Sequence, residues 1–181
     1  FVISPGAQGF HPTSTRVLSL YEYAAEHRMP VIVHHGPPFG LPFCEFANPV
    51  LMAAVCRDFA TVKFVLTDMG WPWVDEALLL AAEYENVYVD LAGVAGRDLV
   101  AYDCLAKAHQ LGVLEKLLLA SDFPAAGAAA AIEAIFSINQ LASSTNLPTI
   151  PRQKLREIVE RDTLKVLGVD DRLAAKAAAQ G

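Results

Sequence analysis

Short apolar runs and longer amphipathic stretches alternate along this chain. The first run, residues 1–4, is Phe-Val-Ile-Ser, and Pro5-Gly6 breaks it. Thr13 or Ser14 is placed to cap a helix in which Val17, Leu18, Tyr21, Ala24 and Ala25 recur at helical spacing. That helix ends before Pro30. Val31, Ile32 and Val33 are β-branched and predict a second strand. Residues 62–67, 86–91 and 117–120 predict three more, and the last, Leu117-Leu118-Leu119-Ala120, is an uninterrupted apolar run suited to a strand covered on both faces.

Helices are predicted between the strands. One covers residues 49–57. Another follows Pro72, which suits a first helical position, with Asp75 and Glu76 in its first turn and Val74, Ala77, Leu78 and Ala81 facing inward. Residues 99–108 form a third, broken at Gly112, and residues 125–141 a fourth. The last opens at Pro151, buries Leu155, Ile158 and Val159, and is closed by Gly168. Strand and helix alternate five times, which predicts a parallel sheet with right-handed crossovers. Two architectures fit: an open doubly wound sheet, or part of a (β/α)8 barrel. Gly6 and Gly9 lack the GxGxxG form of a dinucleotide turn, so the first is the weaker.

Composition narrows the function classes. The chain has 181 residues, 54% of them hydrophobic, enough for a substantial core. A net charge of −6 without a basic run argues against nucleic-acid binding. No stretch is apolar enough to predict a membrane span, and no signal-peptide pattern opens the chain. Three scattered cysteines read as reduced thiols. The expected compartment is the cytoplasm.

The candidate chemistry lies just after the strands: His34-His35-Gly36, Asp68-Met69-Gly70-Trp71, Asp90, and Ser121-Asp122-Phe123-Pro124. The carboxyl ends of parallel strands are where α/β proteins collect functional groups. Histidine and aspartate suit a divalent metal and general acid–base work. Each residue also has a plainer role. Asp122 would cap a helix, Asp90 would satisfy loop amides, and Trp71 and Trp73 would pack. His11, His27 and His109 would be solvated. The loop at 37–49, with Phe39, Phe43 and Phe46, would be a lid or ordinary packing.

These motifs resemble the amidohydrolase-2 family, the branch of the amidohydrolase superfamily related to aminocarboxymuconate-semialdehyde decarboxylase. Pro30-Val31-Ile32-Val33-His34-His35-Gly36 is similar to its "P-V-x-x-H-x-G" segment, and residues 64–73 to its "H-x-G-x-x-W" strand. Asn86-Val87-Tyr88-Val89-Asp90-Leu91 resembles "N-V-Y-x-D-x-S", and Ala120-Ser121-Asp122-Phe123-Pro124 resembles "G-S-D-x-P". Glu160-Arg161-Asp162-Thr163-Leu164 resembles the terminal "x-x-N-A-x-R-L-L". The resemblance implies a TIM-type barrel of which residues 1–170 supply roughly strands 4 to 8, with 171–181 an Ala-rich tail. It implies a hydrolase or non-oxidative decarboxylase acting on a small carboxylated or cyclic substrate.

The same resemblance implies a divalent metal, Zn²⁺ ahead of Mn²⁺, on His34 and Asp122, with Asp122 also moving a proton. Asp68 stands where the family has a histidine, and is carried over as a catalytic residue. His35, Trp71 and Phe39 are the substrate-binding expectation. The family's paired "H-x-H" is not in this chain, and of the family's ligand set His34 and Asp122 are the matched members. A metal-free lactonase-like hydrolase and a degenerate, non-catalytic barrel remain alternatives. The expected partner is a small molecule, with a homodimer open.

Overall fold

The computed structural model describes residues 1–35 and 44–170. Five parallel strands lie side by side in chain order: β1 (Val2–Ile3), β2 (Val31–Val33), β3 (Phe64–Leu66), β4 (Val87–Asp90) and β5 (Leu117–Leu118). All four pairings are parallel, as the alternation predicts. The register aligns Ile3, Val33, Leu66, Val89 and Leu117 in one row across the whole sheet. Every member is buried. Full burial of such a side chain is worth about 1.5–3 kcal/mol, so this row is the spine of the fold.

The row faces the helices. Among these are α1 (Pro5–Gln8), α2 (Thr15–Glu26), α3 (Ala53–Asp58), α4 (Val74–Glu83), α5 (Asp98–Leu111), α6 (Ala128–Ser137), α7 (Arg152–Val159) and α8 (Thr163–Val166). Tyr21 and Ala24 of α2 are buried, with Val17, Leu18 and Ala25 packed alongside. Ala77, Leu78 and Ala81 of α4 meet the sheet as expected. The opposite face is thinner: Ile32, Val65, Tyr88 and Leu118 form a small cluster with Val166, Leu167 and Val169.

Local chemistry differs from expectation at several joints. Ser14 precedes α2, but its side chain makes no capping bond; its carbonyl instead accepts from Val17 and Leu18. Pro72 is not the first residue of α4. It follows a cis peptide after Trp71, and the helix begins two residues later at Val74. The predicted helix at 125–141 is α6 followed by a 3-10 turn, Ile138–Ala142. The helix opened by Pro151 is interrupted: Asp162 restarts it as α8, accepting a hydrogen bond from the Lys165 amide. An Asx side chain is suited to this N-cap, which gives the Asp162 motif position a local purpose.

Asn86 is a joint that the hydrophobic pattern does not reveal. Buried just before β4, its amide donates to the carbonyls of Cys56, Phe59 and Val62. It thereby satisfies the end of α3 and the turn into β3, groups that would otherwise be costly to bury.

Candidate functional site

Continuing the strand register by one residue places Ser4, His34, Thr67, Asp90 and Leu118 in a second row, at the carboxyl edge and on the face opposite the helices. One layer below lie apolar Ile32, Val65 and Tyr88. The change from apolar to polar along the same face marks the rim where chemistry can be exposed without losing core.

Asp68 is the hub of this rim. It follows β3 with a left-handed backbone, φ 56°, and Met69 and Gly70 continue at 59° and 69°. Left-handed geometry costs a non-glycine residue about 1–2 kcal/mol, so something must hold it. The Asp68 amide donates to Asp90 Oδ1 at 2.9 Å, and the Ala92 amide donates to the same oxygen at 3.0 Å. Asp90 therefore ties the ends of β3 and β4 together by satisfying loop amides. The Thr67 hydroxyl donates to Asp68 Oδ2 at 2.9 Å. That oxygen lies 3.5 Å from His34 Nε2, a contact that becomes an ion pair whenever the imidazole is protonated.

Burial separates the two partners. The Asp68 side chain is only 10% exposed, whereas the His34 side chain is 38% exposed and reachable from solvent. Asp90 is pushed up to about 7, chiefly because it is withdrawn from water, and further by the nearby carboxylates of Asp68 and Asp122; the two amides pull the other way. A carboxyl group that titrates near neutral pH is thus built into the rim.

Asp122 lies beyond β5 and is exposed, also with left-handed backbone, φ 61°. It does not cap α6; Gly127 holds that position, and the Asp122 carbonyl accepts from the amides of Ala125 and Ala126. His35 is 1% exposed, and Nδ1 lies 2.7 Å from the Ala47 carbonyl. Burial pulls it down to about 4, which keeps it neutral, and a neutral ring meets that carbonyl with its Nδ1–H. In this arrangement His35 braces the turn at Ala47. Trp71 is half-buried, with the Arg97 guanidinium 5.0 Å from its ring centre. Phe39 lies outside the described residues, as does the segment 171–181.

The donor set can be compared with the needs of a metal. Two ligands on a tetrahedral Zn²⁺ at about 2.0–2.1 Å stand roughly 3.3 Å apart, close to the His34–Asp68 spacing. Among the described residues, however, no three His, Cys, Asp or Glu groups converge. Two donors are too few for a protein metal centre, so the described residues do not by themselves fit the ion. Among them, too, no helix is long and apolar enough to cross a membrane.

Sequence reasoning did not single out Thr67 or Arg97, and it placed Asn86 only as the first residue of a motif. The signals were present but weak: a hydroxyl beside the strand-end acid, an Asn just before a strand, and an Arg in a glycine-rich loop.

Comparison with solved structures finds barrels. A TIM-barrel protein from Bordetella bronchiseptica shares 22% identity over 98% of this chain, with a TM-score of 0.65. A probable 2-pyrone-4,6-dicarboxylic acid hydrolase from Acinetobacter baumannii, solved with citric acid bound, shares 14% over 92%, with a TM-score of 0.63. The 5-carboxyvanillate decarboxylase of Sphingomonas paucimobilis shares 15% over 92%, with a TM-score of 0.58. The chain spans 58%, 63% and 57% of those proteins' own lengths, so its five strands correspond to a partial barrel. No curated protein matches it. The amidohydrolase family model matches residues 1–166, and the chain belongs to that family.

Proposed function

We propose that this chain forms part of the catalytic rim of a hydrolase or non-oxidative decarboxylase acting on a small carboxylated substrate. The observation that carries the reading is the polar cluster at the carboxyl edge: half-buried His34 beside buried Asp68, with Asp90 bracing Asp68. A carboxylate fixed against an imidazole orients the ring and stabilises its protonated form, the arrangement a general base requires. His34 then accepts a proton from water or substrate, and Asp68 balances the charge. Asp122, exposed on the same edge, serves as a second proton carrier.

The substrate class is taken from the family and from the two neighbours named for carboxylated rings. Metal dependence belongs to the proposal as a separate form: there His34 and Asp122 would be the ligands the family resemblance implies, and His34 would not serve as the base. The incomplete donor set keeps a metal-free hydrolase as the second reading, with Asp122 as the base that activates water. The expected partner is a small molecule, with a homodimer as the proposed assembly.

The test is turnover of 2-pyrone-4,6-dicarboxylate and 5-carboxyvanillate by the full-length protein, alongside elemental analysis. Turnover of a carboxylated ring that is lost in both His34→Ala and Asp122→Ala supports the reading. Metal near one equivalent, lost with Asp122→Ala, selects the metal form; turnover indifferent to chelators selects the metal-free form. Turnover unchanged in both variants overturns the assignment.

A further inference from the structure

Arg97 has an environment that the catalytic reading leaves unexplained. It lies on the loop between β4 and α5, where its carbonyl accepts the first-turn bond from the Ala101 amide. Its guanidinium rests over the Trp71 ring, 5.0 Å from the centroid. On another side is Gly93, with φ 71°, where an added Cβ would come within 3.4 Å of the Arg97 Cζ. Trp71 follows β3 and Gly93 follows β4, so the cation is held at the carboxyl rim, beside the two strands that carry Asp68 and Asp90. Stacking on an indole and the absence of a side chain at Gly93 fix the guanidinium in place.

That fixed cation has unused donors. Among the described residues its side chain makes no ion pair or hydrogen bond, and Nη1 is buried without an acceptor. Asp98, the next residue, does not pair with it. Withdrawing a guanidinium N–H from water without an acceptor is unfavourable. Arginine cannot escape the cost by losing its proton. Nη1 is enclosed by the protein, so the donors left for a ligand are those of Nε and Nη2, whose adjacent N–H groups suit a planar anion that can meet both at once. Arg97 also opens the fourteen-residue helix α5, whose amino end adds attraction for negative charge.

We infer that Arg97 binds a carboxylate group of the substrate and holds it at the rim. The inference rests on the proposed function for the substrate class, yet its test reads binding alone. Isothermal titration of the full-length protein with isophthalate, and with the uncharged isophthalamide as control, provides it. Isophthalate is expected to bind and isophthalamide to bind at least tenfold more weakly. Arg97→Gln should weaken isophthalate at least about tenfold, and Arg97→Lys should also weaken it because the fork is lost. Binding should change tryptophan fluorescence, since Trp71 lies under the cation, and that change should vanish in Arg97→Gln.

Equal isophthalate affinity in wild type and Arg97→Gln overturns the inference. So does a wild-type protein that binds none of benzoate, isophthalate and citrate. Should Arg97→Gln fail to fold, Arg97→Lys decides: unaltered affinity overturns fork recognition. Binding that passes while turnover fails leaves Arg97 standing and removes the catalytic reading; the reverse removes only Arg97.

Discussion

Asp68 and Asp122 differ in everything except their starting point. Both follow a parallel strand, both have a left-handed backbone, and both precede a cis X-Pro peptide within a few residues. Asp68 is buried, accepts the Thr67 hydroxyl, faces His34, and has its amide held by Asp90. Asp122 is exposed, and among the described residues only its backbone carbonyl is engaged in a hydrogen bond, by its own loop. The difference follows from sheet position. β3 has β2 on one side and β4 on the other, and each supplies a partner. β5 pairs with β4 alone among the described residues. A strand end becomes organised when neighbouring strands deliver side chains to it.

The sharpest way to break this comparison is to remove each carboxylate in turn. Asp122→Ala should lower turnover of the full-length protein at least about 100-fold while changing unfolding free energy by less than about 0.5 kcal/mol. A large stability loss in that variant would show that Asp122 is structural after all. Near Asp68, Gly70→Ala should be the most destabilising small change, by about 3 kcal/mol. Gly70 has φ 69°, and its new methyl would collide with the Ala77 side chain, joining backbone strain to overpacking. Denaturant unfolding that matches wild type would mean the β3 rim is not rigid.

Asp68→Ala should cost about 2 kcal/mol, because the buried Thr67 hydroxyl loses its acceptor. Asp68→Gly should recover about 1 kcal/mol of that by relieving the left-handed backbone. Equal stability of the two variants would remove backbone strain from the account.

The pH dependence is the subtlest contrast. Asp90 rises from an ordinary carboxylate value of 3.8 to about 7, so its contribution to stability is full below about pH 4 and is lost as pH rises through 7. Asp90→Asn still offers an oxygen to both amides and carries no charge. It should therefore gain on wild type as pH increases from 4 to 7, with the gain constant above. His35 acts at the other limb. Its value falls from 6.5 to about 4, so its contribution is present above 6.5 and lost as pH falls toward 4. Thermal unfolding across pH 4–8 reads both. A flat difference between Asp90→Asn and wild type would show that Asp90 is not withdrawn from water in the fold.

Much of the architecture was legible in the chain because it depends on local period. Val31, Ile32 and Val33 are the second strand, as their β-branching predicts, and β3, β4 and β5 fall inside the predicted runs, shortened at their ends. The inward faces of α2, α4 and α7 are those that helical spacing selects. The strand-end position of Asp68 and Asp90 was equally plain. Joints were less legible. Propensity alone makes Pro72 a helix start and Thr13 or Ser14 a side-chain cap, whereas backbone geometry at each junction takes a different course.

The sequence by itself determined the alternation of strand and helix, the residues that fill the core, and the family motifs at the ends of β2 to β5. These are properties of neighbours within one turn or one pleat, so a linear reading reaches them. Only the tertiary structure decided which of those residues meet. His34 and Asp68 are 34 positions apart, Asp68 and Asp90 are 22, and Trp71 and Arg97 are 26. Strand register sets the first two meetings and the packing of two rim loops sets the third. Neither leaves a periodic signature along the chain, because each depends on the alignment of distant segments and not on the order of adjacent residues.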